Sequence, residues 1–319
     1  MAGAVVDQVR DFINGQKDSL VSLVQRLVEA ESPSAHPECH DSVRRIVAGA
    51  LMDVGYVVRE PGVARGVRHI FARPAKRHHD RGNQLVVGHF DTVWPIGTIE
   101  NRPFTLNGNT MRGPGVFDMK GGIAQIVLAL RAIRELRLEP PLTPVELLNA
   151  DEEIGSRTSS SYNRMLARRA ERAFVLEPAM GQDGDITTER KGIGRLTVTV
   201  FGKAAHAGLD PEGGASAILE LSHVIQTLFA LNDPDKGITV NVGTVDGGIQ
   251  PNVIAPPSTA VVDVRVPTID SGAAIEKAIH AIEPVTPGVR LHIEGRIGRP
   301  SMEATPRNAA LWRQAKALG

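Results

Sequence analysis

Six acidic residues and one histidine stand just past the ends of apolar runs. His89 and Asp91 follow QLVVG in GHFDTVW, and Asp118 lies in GPGVFDMKGG ahead of a helical stretch. Asp151, Glu152 and Glu153 follow VELLNA, and Glu177 follows AFVL. Carboxylates converging on one point repel one another unless a cation neutralises them. His, Asp and Glu without Cys suit a zinc-type or similar divalent ion. Each motif alone has a plainer reading: a histidine oriented by a carboxylate, a solvated acidic run, a Gly-assisted turn. All of them in order at strand ends point to one ligand-binding edge, because open α/β sheets bind ligands there.

The elements that must position these residues are readable from periodicity. Leu20 to Val28 and Asp41 to Val54 have helical spacing, and Gly121 to Leu136 carries a stripe of Ile123, Ile126, Val127, Leu130 and Ile133. VRHIFA (67–72), QLVVGHF (84–90), VELLNA (145–150) and FVLEP (174–178) read as strands, the last three buried. Thr105 to Arg112 reads as a hairpin around Asn107-Gly108. Strands alternating with helices imply an α/β layer fold. From about residue 190 the pattern becomes strand 195–202, helix 215–231, strands 238–245 and 259–266, helix 272–283 and strand 289–295. That β-α-β-β-α-β order is ferredoxin-like. A last helix covers 307–318.

Composition narrows the function. The 319 residues carry 36 Lys+Arg and 36 Asp+Glu, so no basic excess exists for a phosphate backbone, and nucleic acid is not an expected partner. The single cysteine, Cys39, rules out an internal disulfide or a multi-thiolate zinc site. Asp7 and Asp11 interrupt any signal-peptide core, and no apolar run approaches a membrane span. The expectation is a soluble, cytoplasmic protein of two domains with no membrane partner. His36, His40, His69, His78 and His79 lie outside the motifs and read as surface, with Arg77-His78-His79 in a solvated loop.

GHFDTVW, GPGVFDMKGG, NADEEIGS, VLEP and GKAAHAG, in this order, resemble the co-catalytic zinc aminoacylase/carboxypeptidase/desuccinylase superfamily, and most nearly its glutamate carboxypeptidase (carboxypeptidase G) branch. The resemblance implies a zinc-exopeptidase-like catalytic α/β sandwich with an inserted ferredoxin-like α+β lid that dimerises. It divides the chain into a catalytic part at 1–189, a lid at 190–299 and a returning catalytic segment from 300. It implies two divalent ions, zinc or cobalt, and cleavage of amide bonds in small peptides or N-acyl amino acids. His89 and Glu177 would bind the first ion, Asp118 both and Glu153 the second. Glu152 would be the general base, and Asp91 would accept the other N–H of His89 and fix its tautomer. In the lid, His206 of GKAAHAG would stabilise the oxyanion, often in the partner subunit. Asn252 in PNVIAP and Arg265 in VVDVRV would hold the substrate carboxylate.

The superfamily continues past its lid with a late histidine for the second ion. Here no histidine follows residue 300 before Gly319. By that comparison the chain is expected to be C-terminally truncated, its sandwich incomplete and its second ion held by Asp118 and Glu153 alone. The alternative is an inactive homologue that serves as a binding or dimerisation module.

Overall fold

The computed structural model describes residues 2–62, 66–76, 80–181 and 184–318. The expected loop Arg77-His78-His79 lies outside them. The chain forms two compact units, Met1–Ala179 and Met180–Gly319. The division falls before the expected 189/190 boundary, and residues 300–319 group with the second unit.

The first unit begins with helices α1 (Ala2–Asn14), α2 (Lys17–Glu29) and α3 (Asp41–Asp53). Strands β1 (Tyr56–Arg59), β2 (Ile70–Pro74) and β3 (Asn83–His89) follow, then the short α4 (Thr98–Asn101) and the hairpin β4 (Thr105–Asn107) and β5 (Thr110–Arg112). Next come α5 (Gly121–Glu135), β6 (Thr143–Asn149), α6 (Ser160–Ala167) and β7 (Ala170–Val175). The sheet order is β1-β2-β6-β3-β7. β3 runs parallel to both β6 and β7, so the three carboxyl ends lie along one edge. Register levels them: His89 pairs with Asn149, and Val87 with Val175. Glu177 is therefore level with His89, and Asp151 to Glu153 begin two residues beyond.

One face of this sheet packs on α2, α3 and α5 through Leu27, Val43, Val47, Leu51, Ile123, Ile126, Val127 and Leu130. These residues recur at three- and four-residue spacing, which puts them on one stripe of each helix. Each fully buried aliphatic contributes about 1.5–3 kcal/mol. The other face packs on α6 through Leu85, Val145 and Leu147 against Tyr162 and Leu166. β7 departs from the expected buried strand. It is an edge strand, and Phe174 and Val175 are exposed.

The second unit contains β8 (Gly192–Phe201), α7 (Ala217–Ala230), β9 (Thr239–Gly247), β10 (Pro257–Val266), α8 (Ile269–His280), β11 (Arg290–Arg299) and α9 (Pro306–Leu318). Its sheet is antiparallel with order β11-β8-β10-β9, the ferredoxin-like arrangement. Alternate residues Leu196, Val198 and Val200 of β8 and Ala260, Val262 and Val264 of β10 face the helices. Among the described residues no helix is long and apolar enough to cross a membrane.

Glu146 breaks the apolar pattern of β6. It lies between Ala72 and Val86 in register, fully buried, and neither carboxyl oxygen has a hydrogen-bond partner among the described residues. Burial pushes its pKa from 4.5 up to about 8. The folded chain therefore keeps a proton that the unfolded chain sheds, and stability falls as pH rises between those two values. Glu146→Gln should remove that slope and raise Tm by about a few degrees at pH ~8. Thermal unfolding of both proteins from about pH 5 to 9 checks this, and parallel curves would contradict it.

Candidate metal centre

The edge formed by β3, β6 and β7 brings the sequence-predicted cluster together. His89 is buried, and its Nε2 lies 3.0 Å from Asp118 Oδ1 and 3.3 Å from Glu177 Oε1. His89, Asp118 and Glu153 each offer a ligand atom within 4.8 Å of the others, and so do His89, Glu152 and Glu177. Glu152, Glu153 and Glu177 are half-buried, and Asp118 is exposed on one side.

Local sequence explains each position. Asp118 sits in the turn Val116–Lys120, whose Asp118–Met119 peptide is cis. The Met119 sulfur accepts the His89 backbone N–H at 3.2 Å, which ties this turn to the end of β3. Gly122 lets two backbones approach closely: a Cβ there would lie 2.1 Å from the Leu176 carbonyl oxygen. Only glycine lets α5 start this close to the segment carrying Glu177. Buried Lys120 donates to the Ala30 carbonyl at 3.0 Å and pins the same helix start to the end of α2.

Asp91 does more than orient a histidine. The His89 Nδ1 meets the main-chain oxygen of Asp91 at 2.9 Å, while the carboxylate stands farther off at 3.4 Å. The expected side-chain acceptor for His89 is thus chiefly a carbonyl. The Asp91 carboxylate accepts instead from the backbone N–H of Glu152 (3.1 Å) and Glu153 (3.2 Å), and from the Ser34 hydroxyl (2.7 Å). Burial alone would raise its pKa, but bonds to His89, Ser34 and Glu152 hold it below the usual carboxylate range.

Two histidines expected at the surface are buried beside this centre. His69 Nδ1 accepts the Ala150 N–H at 3.2 Å, so Nε2 carries the ring hydrogen and faces the Thr158 hydroxyl at 3.2 Å. Thr158 in turn donates to Asp151 at 2.7 Å, which also accepts the N–H groups of Thr158 (2.6 Å) and Ser159 (3.3 Å). This network braces the Asp151–Glu153 turn from behind. His40 bonds the Pro33 carbonyl at 2.9 Å and meets the Phe90 ring edge-on, supporting the Ser32–Ser34 strap that runs beside Phe90–Thr92. Neither sits in a strand-end motif. The sequence signal was only their proximity to apolar runs.

Electrostatics supports a cation. Burial, and then the Asp118 charge, push Glu153 up to about 7. Burial, and then Glu177, raise Asp118. Burial opposes protonation of His89, but Asp91 and Glu177 outweigh it and lift it to about 11. Without a metal the cluster holds protons to offset its own negative charge. One imidazole nitrogen and four carboxylates form the mixed N/O donor set that zinc-like divalent ions accept.

The lid residues occupy both ends of one sheet. His206 bridges to Val253, and the Asn252 carbonyl accepts the Ala207 N–H at 3.0 Å, so His206 and Asn252 are neighbours. The exposed His206 ring accepts the N–H groups of Gly208 and Leu209 at its Nδ1, which leaves Nε2 outward. Arg265 lies elsewhere. It pairs with Ile193 and Thr239 near the far end of β10, about 27 Å from Pro257 at ~3.4 Å per residue. Its guanidinium is engaged with Asp263 at 2.8 and 3.2 Å.

A family model described as the M20 peptidase dimerisation domain matches residues 188–283. Carboxypeptidase G2 of Pseudomonas sp. is 27% identical over 317 residues, covering 95% of this chain and 75% of that protein. Acetylornithine deacetylase of Salmonella typhimurium is 30% identical over 263 residues, covering 77% of this chain and 67% of the relative. Aminopeptidase PepT of Bacillus cereus shares the fold with a TM-score of 0.74 at 20% identity, over 94% of this chain and 82% of that one. An M20 family metallo-carboxypeptidase of Sulfolobus solfataricus does so with a TM-score of 0.61 at 15% identity, over 90% and 78%.

Removing the Asp91 carboxylate tests its bracing role. Asp91→Ala strands two backbone N–H groups and a hydroxyl, and should lower zinc affinity roughly 10- to 100-fold with the fold retained. Chelator competition measures this, and unchanged affinity would contradict it.

Proposed function

Because the chain belongs to the M20 family of metallo-peptidases and deacylases, we propose that it hydrolyses amide bonds of small peptides or N-acyl amino acids, in the manner of a glutamate carboxypeptidase. The observation that carries this reading is the convergence of His89, Asp118, Glu152, Glu153 and Glu177 within two overlapping ligand groups. In this reading His89 and Glu177 would hold one divalent ion and Glu153 a second, with Asp118 serving both. Zinc is the assigned metal, with cobalt able to replace it. Ions bound there would lower the pKa of a water molecule and polarise the scissile carbonyl. Glu152 takes a proton from the attacking water and returns it to the leaving amine nitrogen. The fixed backbone of Glu152, bonded to Asp91, supports that assignment.

His206 is assigned to the oxyanion, and Asn252 and Arg265 to the substrate carboxylate. The separation along β10 prevents one lid from bringing all three to one substrate, so two subunits would divide the set. A homodimer through the lid fits the match to a dimerisation domain. β9 pairs only with β10 among the described residues, so its outer edge is open, and beside it α7 exposes Ile218, Leu219 and Phe229, while β9 exposes Val245. Such an edge beside apolar surface is suited to pairing with a second copy.

Glu152→Gln should lower kcat on N-acyl-glutamate and dipeptide substrates roughly 10²- to 10⁴-fold while metal content stays unchanged. Normal turnover in that variant, or none in the zinc-loaded parent, would overturn the reading. Ile218→Lys with Val245→Lys should convert a dimer to a monomer in sedimentation velocity. A dimer that persists would reject this interface.

A further inference from the structure

One cavity of the first unit is not accounted for by the metal cluster. It holds about 310 Å³ and is walled by Trp94, Arg102, Pro103, Thr105, Arg112 and Pro114. The indole and the prolines make its body apolar. The Arg102 guanidinium lies 5.0 Å from the Trp94 ring centroid. No carboxylate lines the cavity, and among the described residues neither Arg102 nor Arg112 is paired with one. Both arginines are exposed, so each is available to an incoming anion. A guanidinium fork beside an aromatic plane recognises a carboxylate attached to a short carbon chain.

The cavity is built from the same loops as the metal cluster. Trp94 follows Asp91 by three residues, which limits their Cα separation to about 11 Å. On the other wall, Gly113 and Pro114 lead into the turn that carries Asp118. A Cβ on Gly115 would meet Thr92 Cγ2 at 2.7 Å and the Asp118 carbonyl oxygen at 3.3 Å, so the two loops pack together beside Asp118. Glu31 fixes the Trp94 loop by accepting the N–H groups of Gly97 (2.9 Å) and Ile99 (3.1 Å). A substrate that reaches from the cluster to the cavity gains ~3.4 Å for each extended residue.

We infer that this cavity is a subsite for a second substrate carboxylate, on the part of the substrate that Asn252 and Arg265 do not hold. The inference rests on the amide-hydrolase reading and narrows it. Preferred substrates carry an acyl group or residue with its own terminal carboxylate. Neutral acyl chains of equal length leave the two arginines without a partner.

The test uses the full 319-residue chain with zinc present. Trp94 is one of two tryptophans, so Trp312→Phe makes it the sole indole reporter. Glutarate should change its fluorescence saturably and glutaramide should not. Arg102→Gln and Arg112→Gln should each weaken glutarate binding about tenfold. In turnover, Arg112→Gln should raise KM for N-glutaryl-glutamate about tenfold and leave N-valeryl-glutamate within about twofold. An equal response to glutarate and glutaramide, or unchanged affinity in both arginine variants, would overturn the subsite. Failure of the parent to hydrolyse either substrate would instead refute the hydrolase reading, and the fluorescence titration would still decide the cavity.

Discussion

One buried carboxylate, Asp91, joins the parts of the chain that carry the chemistry. Its main chain receives the His89 ring, and its side chain receives the backbone of Glu152 and Glu153 and the hydroxyl of Ser34. A carboxylate with no exposed surface is costly unless its lone pairs are filled. Here the bonds that fill them are the ones that set the end of β3 against the end of β6. The parallel register of those strands brings the two ends level, and Asp91 then fixes the last few ångströms.

The second constraint is charge. Asp118, Glu152, Glu153 and Glu177 approach a single imidazole, and burial with mutual repulsion lifts Asp118 and Glu153 above their ordinary range. Such a cluster is stable only with protons or with cations, and its geometry suits the latter. The net charge of zero over the whole chain is thus unevenly distributed. Negative charge gathers at the carboxyl edge of the first sheet, while the positive charge of Arg102 and Arg112 lines the separate cavity.

The strand-end motifs were legible because parallel strands place their carboxyl ends on one edge, so spacing from each apolar run predicted convergence. The ferredoxin-like unit was legible from alternation in β8 and β10. What the sequence did not reveal depends on three-dimensional neighbours. His40 and His69 lie outside the strand-end motifs and read as surface residues, yet each finds a specific partner and is buried. β7 is apolar enough to read as buried, but its place at the sheet edge leaves Phe174 and Val175 exposed. The first helix, α1, was not anticipated, although Val5, Val6, Val9, Phe12 and Ile13 share one face opposite Asp7 and Asp11. Arg265 shares a substrate role with Asn252 in the sequence reading, and only the length of β10 reveals that they lie at opposite ends.

Anomalous diffraction from zinc-loaded crystals of the whole chain tests the metal centre most directly. The expected result is a zinc peak about 2.0–2.2 Å from His89 Nε2 and from carboxylate oxygens of Asp118 and Glu177. A second peak should lie about 3.5–4 Å from the first, on Asp118 and Glu153. Zinc bound only elsewhere, with no peak on His89, would contradict the assignment of this edge as a metal-dependent hydrolytic centre.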